Sequence, residues 1–259
     1  MHLIDFLFKI QIGNAVINDE TDERGMYDYL ATHAIISDQD AYQITKYCDF
    51  SSNASTQSTE CNTASEAISK DIDNIDIYNI YAPSCTSSKL TARPKKVSVS
   101  CSIFLVTVEE CEWDWQLIHV AITMCMLILN RPDVQSALHA NVTKLTHDWE
   151  ACSDIIQKWG DSPSTMIPLL NEFMANGLRV WIFSGDIDGR VPVTSTKYSL
   201  NKMKLPVKTE WHPWFLGGEV GGYTEVYKGD LTFATVREAG HQVPSYQPVR
   251  ALSLIKHFP

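Results

Sequence analysis

The feature that most constrains the fold is an apolar segment at residues 178–183, which reads Leu-Arg-Val-Trp-Ile-Phe. It has the length of a β-strand, and after its first residues it is continuously apolar, which is typical of a strand buried on both faces. Strands of this kind occur in sheets that carry helices on both sides. The sequence therefore predicts an α/β layer built around residues 178–183.

The rest of this layer is predicted from the apolar and turn residues on either side of the segment. Helices are predicted over 164–175 and from about residues 193 and 247, and strands over 10–17, 223–228 and 231–236. Alternation of helices and strands in this order indicates a mostly parallel sheet with flanking helices.

The region between the first strand and this layer is predicted to be helical with long polar connections. A Ser37/Asp40 capping box predicts a helix from there through residue 46, and a loop is predicted over 49–66. A short aromatic strand over 76–82 and an exposed linker over 86–100 should follow. The last predicted element of this region is a helix over 132–140. No internal repeat is visible in the sequence.

The composition excludes several classes of partner. Apolar residues make up 44% of the chain, which is enough for a hydrophobic core. A net charge of −10 argues against binding to nucleic acid or to an anionic membrane, because both require clusters of basic residues. The longest apolar run, residues 117–129, is shorter than the roughly 20 residues that cross a bilayer. No histidine lies in a metal-ligand spacing, so no metal and no other cofactor is predicted.

Two residues with catalytic chemistry follow predicted strands. Asp188 comes after strand 178–183 and His241 after strand 231–236, and the carboxyl ends of parallel strands meet at one edge of a sheet. A carboxylate that accepts the Nδ1 proton of a histidine orients the ring and stabilises the imidazolium. Taken alone, Gly185-Asp186 could be turn chemistry and Gly240-His241 could be structural.

The segments around these residues resemble the serine carboxypeptidase family. Residues 184–188 (Ser-Gly-Asp-Ile-Asp) are similar to the family's aspartate segment, and residues 236–244 (Val-Arg-Glu-Ala-Gly-His-Gln-Val-Pro) to its histidine segment. Plant members have further similar stretches, which occur here at 13–19 (Gly-Asn-Ala-Val-Ile-Asn-Asp), 78–83 (Tyr-Asn-Ile-Tyr-Ala-Pro), 130–135 (Asn-Arg-Pro-Asp-Val-Gln) and 149–153 (Trp-Glu-Ala-Cys-Ser).

The resemblance implies an α/β-hydrolase fold with an inserted helical cap. Residues 1–25 and 149–259 would form part of the core, and residues 26–148 the cap. Asp188 and His241 match the catalytic aspartate and histidine of the family, while Asp186 would cap or brace the turn. The implied partner of the intact enzyme is a peptide substrate, with no cofactor.

The sequence departs from the family pattern in two places. No G-x-S-x-G motif, which carries the family's nucleophile, and no Asn-Gly-Gly-Pro-Gly segment, which supplies its oxyanion hole, occurs in the 259 residues. Both would precede residue 10 in family order, and no signal peptide is recognisable, so we expect the true amino terminus to be missing. Residues 93–129 are also atypical and suggest mis-joined coding sequence.

Cysteines and glycosylation motifs predict an oxidising compartment. We expect a disulfide between Cys48 and Cys61, whereas Cys152, by resemblance, would pair with a cysteine of the absent segment. Sequons at Asn53 and Asn141 predict glycosylation. An intact family member would therefore be secreted or vacuolar, and its oligomeric state is not predicted.

These features are compatible with three functions. The intact enzyme would remove carboxyl-terminal residues from peptides, or would transfer acyl groups from sugar esters with the same catalytic residues. The third is a non-catalytic fragment or pseudoenzyme. For the chain as it stands we favour the third, and for the family to which it is similar we favour the first.

Overall fold

The computed structural model describes residues 9–82, 125–150, 153, 155 and 160–257. The chain divides into two compact units, one formed by Met1–Tyr81 with Ser162–Pro259 and the other by Ala82–Asp161. These units are not the same as the predicted core (1–25 and 149–259) and cap (26–148), and that division remains a prediction.

One sheet organises the first unit. Its strands are β1 (Lys9–Gly13), β2 (Arg179–Gly185), β3 (Val207–Leu216), β4 (Glu219–Tyr227) and β5 (Leu231–Val236). Their order across the sheet is β1-β2-β5-β4-β3. The pairs β1–β2 and β2–β5 are parallel, whereas β4–β5 and β3–β4 are antiparallel. The sheet is therefore mixed, and the predicted parallel arrangement holds for its β1–β2–β5 part.

The helices form at segments with regularly spaced apolar positions, and some of them are preceded by a capping residue. Those within the described residues are α1 (Asp19–Thr32), α2 (Asp38–Tyr47), α3 (Thr59–Ile72), α4 (Pro132–Ala137), α5 (Ile167–Ala175), α6 (Val193–Met203), α7 (Val243–Tyr246) and α8 (Pro248–His257). The Ser37 side chain accepts a hydrogen bond from Asp40 N at 3.1 Å, so the predicted cap of α2 is present. Within the described residues no helix has the length and apolar character needed to cross a membrane.

Among its described residues, the first unit has two apolar clusters that stabilise it. The larger one lies on one face of the sheet and includes Val180, Ile182 and Phe233, which are almost fully buried. Burial of side chains of this size contributes about 1.5–3 kcal/mol each. The smaller cluster joins α1, α2 and α3 through residues such as Leu30 and Ile44. The predicted core strand 178–183 corresponds to β2, which spans Arg179–Gly185 and lies in the interior of the sheet between β1 and β5.

Helices α1 and α6 approach each other closely because small residues line their contact. A Cβ atom added at Gly25 would lie 2.5 Å from the backbone of Ser195. Across the same contact the Ser195 hydroxyl donates to Asp22 O at 2.7 Å, and the Thr194 hydroxyl donates to Gly25 O at 2.6 Å. The contact fixes α1, and with it the loop that follows β1.

The structure corrects three sequence-based expectations. Residues 76–82 form turns and not a strand, and α3 begins at Thr59, inside the predicted 49–66 loop. Strand β1 ends at Gly13, so residues 14–17 lie outside it. The predicted linker over 86–100 and most of the atypical segment over 93–129 lie outside the described residues.

The second unit has its own local contacts. Helix α4 starts at Pro132, as predicted, and ends at Ala137, three residues early. The Asn130 side chain links this helix to a later segment, because its amide donates to Trp149 O at 2.8 Å and its oxygen accepts from Trp149 N at 2.6 Å.

Candidate active site

Asp188 is held in place by backbone amides of its own loop. The loop follows β2, and the Asp188 side chain is fully buried. Its Oδ1 atom accepts hydrogen bonds from Arg190 N at 2.8 Å and from Val191 N at 3.3 Å. Amide donors of this kind stabilise the ionised form of a carboxylate and fix its orientation.

His241 meets Asp188 although the two residues are 53 positions apart. The Nδ1 atom of His241 lies 2.8 Å from Oδ2 of Asp188. The contact forms because β2 and β5 are parallel neighbours and their carboxyl ends reach the same edge of the sheet. About 30% of the His241 side chain is exposed, so the ring has a buried partner on one side and remains accessible to solvent.

The loops that carry these two residues touch through their backbones. The Asp186 N–H donates to Val236 O and the Ile187 N–H to Ala239 O, both at 3.1 Å. A Cβ atom added at Gly185 would lie 2.2 Å from Ala239 O and 2.4 Å from Gly240 O. Only glycine at position 185 leaves room for this approach.

Asp186 joins the same two loops through its side chain. Its Oδ1 accepts from Glu238 N at 2.6 Å, and its backbone oxygen accepts from the Tyr29 hydroxyl at 2.7 Å. Burial raises the pKa of Asp186 above its usual range, and the amide of Glu238 opposes that shift. The predicted brace thus connects one loop to the other.

Residues 76–81 form a third segment at the site; they lie within the range 76–82, for which the sequence predicts a strand. The Ile80 N–H donates to Ile187 O at 3.1 Å, and Gly189 N–H donates to Ile77 O at 2.9 Å. The segment also receives the His241 N–H, which donates to Tyr78 O at 2.8 Å. It therefore holds both loops; the similarity of residues 78–83 to plant family members was the only sequence signal for it.

Aromatic residues border the histidine. The Tyr78 ring lies 5.2 Å from the His241 ring, centroid to centroid. Tyr246 packs on the other side of the turn, where a Cβ at Gly240 would lie 2.8 Å from its ring. Burial raises the pKa of the Tyr246 hydroxyl, and the negative charges of Asp76 and Asp188 raise it further. Tyr246 is therefore neutral at the pH at which a histidine titrates.

The turn before His241 contains a strained residue. Glu238 has a φ of 59°, a left-handed conformation that is unfavourable for a side chain of this kind. Its carboxylate accepts from Arg250 Nη1 at 2.9 Å, and the same nitrogen donates to Arg237 O at 2.7 Å. The carbonyl of Glu238 accepts from the Gln247 side chain at 3.2 Å. These contacts hold the turn in the shape that places His241.

The arrangement can perform proton transfer. With Nδ1 directed at a buried carboxylate, Nε2 is the nitrogen that is left to accept and return a proton. In the part of the chain that the structure describes, no three His, Cys, Asp or Glu side chains are grouped in a way that could hold a metal ion.

The predicted disulfide and sequon residues lie away from the Asp188–His241 contact in the sequence. Cys48 and Cys61 are joined by a disulfide, and the sequon residues Asn53 and Asn141 are exposed. Cys152 lies outside the described residues. Glycosylation at the two sequons stays a prediction.

A mixed sheet with flanking helices, and an aspartate and a histidine at the carboxyl ends of two of its parallel strands, define an α/β-hydrolase. A family model described as serine carboxypeptidase matches residues 7–259. The chain therefore belongs to the serine carboxypeptidase family, and the resemblance found in the sequence is confirmed.

Plant proteins are among the similar relatives. The chain is 56% identical to serine carboxypeptidase-like 40 of Arabidopsis thaliana over 250 residues, which are 96% of this chain and 47% of that protein. It is 45% identical to serine carboxypeptidase 24 of the same plant over 253 residues, or 95% of this chain and 52% of the relative. The chain thus spans about half the length of the curated relatives it matches.

A solved structure is similar in fold. The crystal structure of Kex1(delta)p, a prohormone-processing carboxypeptidase from Saccharomyces cerevisiae, matches with a TM-score of 0.60 and 17% identity. The match covers 95% of this chain and 53% of that one. At this identity the comparison supports the fold alone.

Proposed function

We propose that this chain supplies the aspartate and histidine of a serine carboxypeptidase active site. The observation that carries the proposal is the 2.8 Å contact between His241 Nδ1 and the buried Asp188 carboxylate. In this role His241 is the general base and acid, and Asp188 orients its ring and stabilises the imidazolium. Membership of the family supports the assignment.

The proposed reaction removes the last residue of a peptide through an acyl-enzyme. A serine hydroxyl, contributed by sequence outside these 259 residues, gives its proton to His241 Nε2 as its oxygen bonds to the scissile carbonyl carbon. His241 then protonates the leaving amine as the peptide bond breaks. A water molecule, deprotonated by His241, hydrolyses the ester and returns the serine.

The 259 residues alone are proposed to be non-catalytic. They contain no G-x-S-x-G motif, so His241 has no nucleophile from such a motif within the chain. We therefore expect a fluorophosphonate probe to label no serine in this chain. Stoichiometric labelling at one serine that is lost in His241→Ala would show that another residue serves as nucleophile.

The test adds a nucleophile serine to the chain by fusion with a relative. The chain is joined to the part of serine carboxypeptidase-like 40 that lies outside the matched 250 residues, and hydrolysis of blocked dipeptides is measured. The parent fusion should be active, and His241→Asn should reduce kcat/KM by roughly 10³-fold or more. His139→Asn is the matched control, because His139 is an exposed histidine of the second unit; its activity should equal that of the parent.

Two results would contradict the proposal. An active fusion whose activity survives His241→Asn would remove His241 from the mechanism. A folded fusion that cleaves no peptide but transfers acyl groups from a sugar ester would instead assign the acyltransferase reaction that the family also hosts.

We also propose that the protein is made in the secretory pathway, for secretion or for the vacuole. The Cys48–Cys61 disulfide and the exposed sequon at Asn53 support this location, because both suit an oxidising compartment with a glycosylation machinery. A mobility shift on glycosidase treatment tests it: the shift should be smaller in Asn53→Gln and absent in Asn53→Gln/Asn141→Gln.

A further inference from the structure

Asn14 is a buried side chain that reaches the candidate active site from a third strand. It follows β1 directly, and it is only 3% exposed. Its backbone N–H donates to Phe183 O at 2.9 Å, which continues the β1–β2 pairing by one residue. The proposed reaction assigns it no role.

The two ends of the Asn14 amide contact two different parts of the Asp188 loop. Its Oδ1 accepts from Gly185 N at 3.0 Å, at the end of β2. Its Nδ2 donates to Oδ2 of Asp188 at 2.8 Å. The Asn14 side chain thus links Gly185, where the loop begins, to the Asp188 carboxylate that the loop carries.

The Asn14 donor binds the same oxygen atom as His241. Oδ2 of Asp188 accepts from Asn14 Nδ2 and faces His241 Nδ1, both at 2.8 Å, whereas Oδ1 accepts from loop amides. A second donor on Oδ2 withdraws part of the negative charge that would otherwise stabilise the imidazolium. Asn14 therefore acts on both the position and the basicity of the pair.

The backbone at this position favours asparagine over other side chains that could donate. Asn14 has a φ of 42°, in the left-handed region that Asn adopts more readily than most residues. Ser and Thr offer one oxygen atom for both contacts, whereas the two Asn14 contacts use separate acceptor and donor atoms. An amide satisfies both contacts with a single planar group.

We propose that Asn14 is a positioning residue that fixes the Asp188 carboxylate and lowers the basicity of His241. The consequence for catalysis rests on the proposed function, whereas the consequence for the His241 ring does not. The direct test is therefore an NMR titration of His241 in the full 259-residue chain, labelled with ¹⁵N-histidine.

The titration compares two variants with a matched control. Asn14→Gly removes both contacts without strain, since glycine adopts a φ of 42° freely. It should move the pH midpoint of the His241 signals upward, because Asp188 Oδ2 loses its second donor. Asn18→Gly removes another buried amide of the same loop, one that donates to Thr21 Oγ1 at 2.8 Å. This control should leave the midpoint unchanged.

The second variant keeps the size of the side chain. In Asn14→Asp the new carboxyl still accepts from Gly185 N, and it donates to Asp188 only while it holds a proton. The His241 titration should therefore follow that of the unaltered chain at low pH and gain a second inflection where this proton is lost.

Apart from the carboxyl that Asn14→Asp introduces, the charged and titratable groups around the pair are the same in every variant; they are Tyr29, Asp76, Tyr78, Asp186, Arg190 and Tyr246. A change confined to the two Asn14 variants therefore reports the Asn14 contact. An Asn14→Gly midpoint that is unchanged or lower, or a single unshifted inflection in Asn14→Asp, overturns the proposal.

Activity of the fusion gives the second readout. Asn14→Gly should lower kcat roughly 10- to 100-fold with little change in KM, and move the acidic limb of the pH profile upward by the same interval as the NMR midpoint. An active parent with an unmoved profile in Asn14→Gly counts against Asn14. An inactive parent counts against the proposed function, and the titration then decides the role of Asn14.

Discussion

Substitution of Gly185 by alanine should separate the two loops of the candidate active site. An added Cβ would lie 2.2 Å from Ala239 O and 2.4 Å from Gly240 O, and both obstacles are backbone atoms. An ordinary carbon–oxygen contact of about 3.4 Å requires the loops to move apart by about 1 Å. The same movement would lengthen the 2.8 Å contact between Asp188 and His241 beyond hydrogen-bond distance.

The energetic cost has two parts. Insertion of a methyl group into a closely packed site costs about 1–3 kcal/mol. The two backbone hydrogen bonds between the loops, from Asp186 N and Ile187 N, are worth about 1 kcal/mol each. We therefore expect Gly185→Ala to destabilise the first unit by about 3–5 kcal/mol, which corresponds to a Tm lower by roughly 6–20 °C.

The assay combines thermal unfolding of the chain with kinetics of the fusion. A displacement of about 1 Å should reduce kcat/KM roughly 100-fold. Gly160→Ala is the matched control, because no heavy atom lies within 4 Å of the added Cβ there; both readouts should be unchanged. A Gly185→Ala protein with the Tm and activity of the parent would refute the close approach of the two loops.

Two further predictions concern stability. Because burial raises the pKa of Asp186, the folded state holds the Asp186 proton more tightly than the unfolded chain does. Stability should therefore fall as the pH rises from the ordinary pKa of 3.8 through the raised pKa. In Asp186→Asn, Tm measured against pH should show a smaller fall, and an unchanged slope would contradict the prediction. The Cys48–Cys61 disulfide closes a loop with a sequence separation of 13. The double variant Cys48→Ala/Cys61→Ala should therefore lower the free energy of unfolding by about 3 kcal/mol in urea titrations. A change under about 1 kcal/mol would show that α2 and α3 hold together without the disulfide.

Periodicity predicted the central strands and failed where the strands are exposed. Strands β2 and β5 are apolar along most of their length, so the sequence located both. Strand β3 was missed because it reads Val-Lys-Thr-Glu-Trp-His-Pro-Trp-Phe-Leu, is largely exposed, and contains a proline. Its pairing is provided by β4 across the turn at Gly217 and Gly218, which are in the left-handed region.

Local side-chain hydrogen bonds explain two of the three wrong assignments in the first half of the chain. At 76–82, tyrosines and isoleucines favour a strand, but Asp76 Oδ1 accepts from Tyr78 N at 2.9 Å and Asn79 Oδ1 from Tyr81 N at 3.2 Å, and these contacts form turns. At 49–66, Ser58 caps a helix by accepting from Cys61 N at 3.1 Å.

The candidate site was predictable only where it depends on strand ends. Asp188 and His241 follow adjacent parallel strands, and topology alone brings them together. Asn14 contacts Asp188 from 174 positions away through a side chain, and Tyr78 contacts the site through a turn. Neither contact has a periodic signal, so both require the three-dimensional structure.

The parallel pairing of β1 with β2 closes a very long loop, since Ile10 pairs with Val180. The entropy of such a closure grows only with the logarithm of loop length, so an insertion of about 40 residues between these strands costs about 0.2 kcal/mol. A one-residue slip of β1 against β2, in contrast, would turn every side chain of β1 to the opposite face and carry the Asn14 amide away from Asp188. The connection between the strands could thus change in length at little cost, whereas the register of the five residues Lys9–Gly13 could not change without loss of the Asn14 contact.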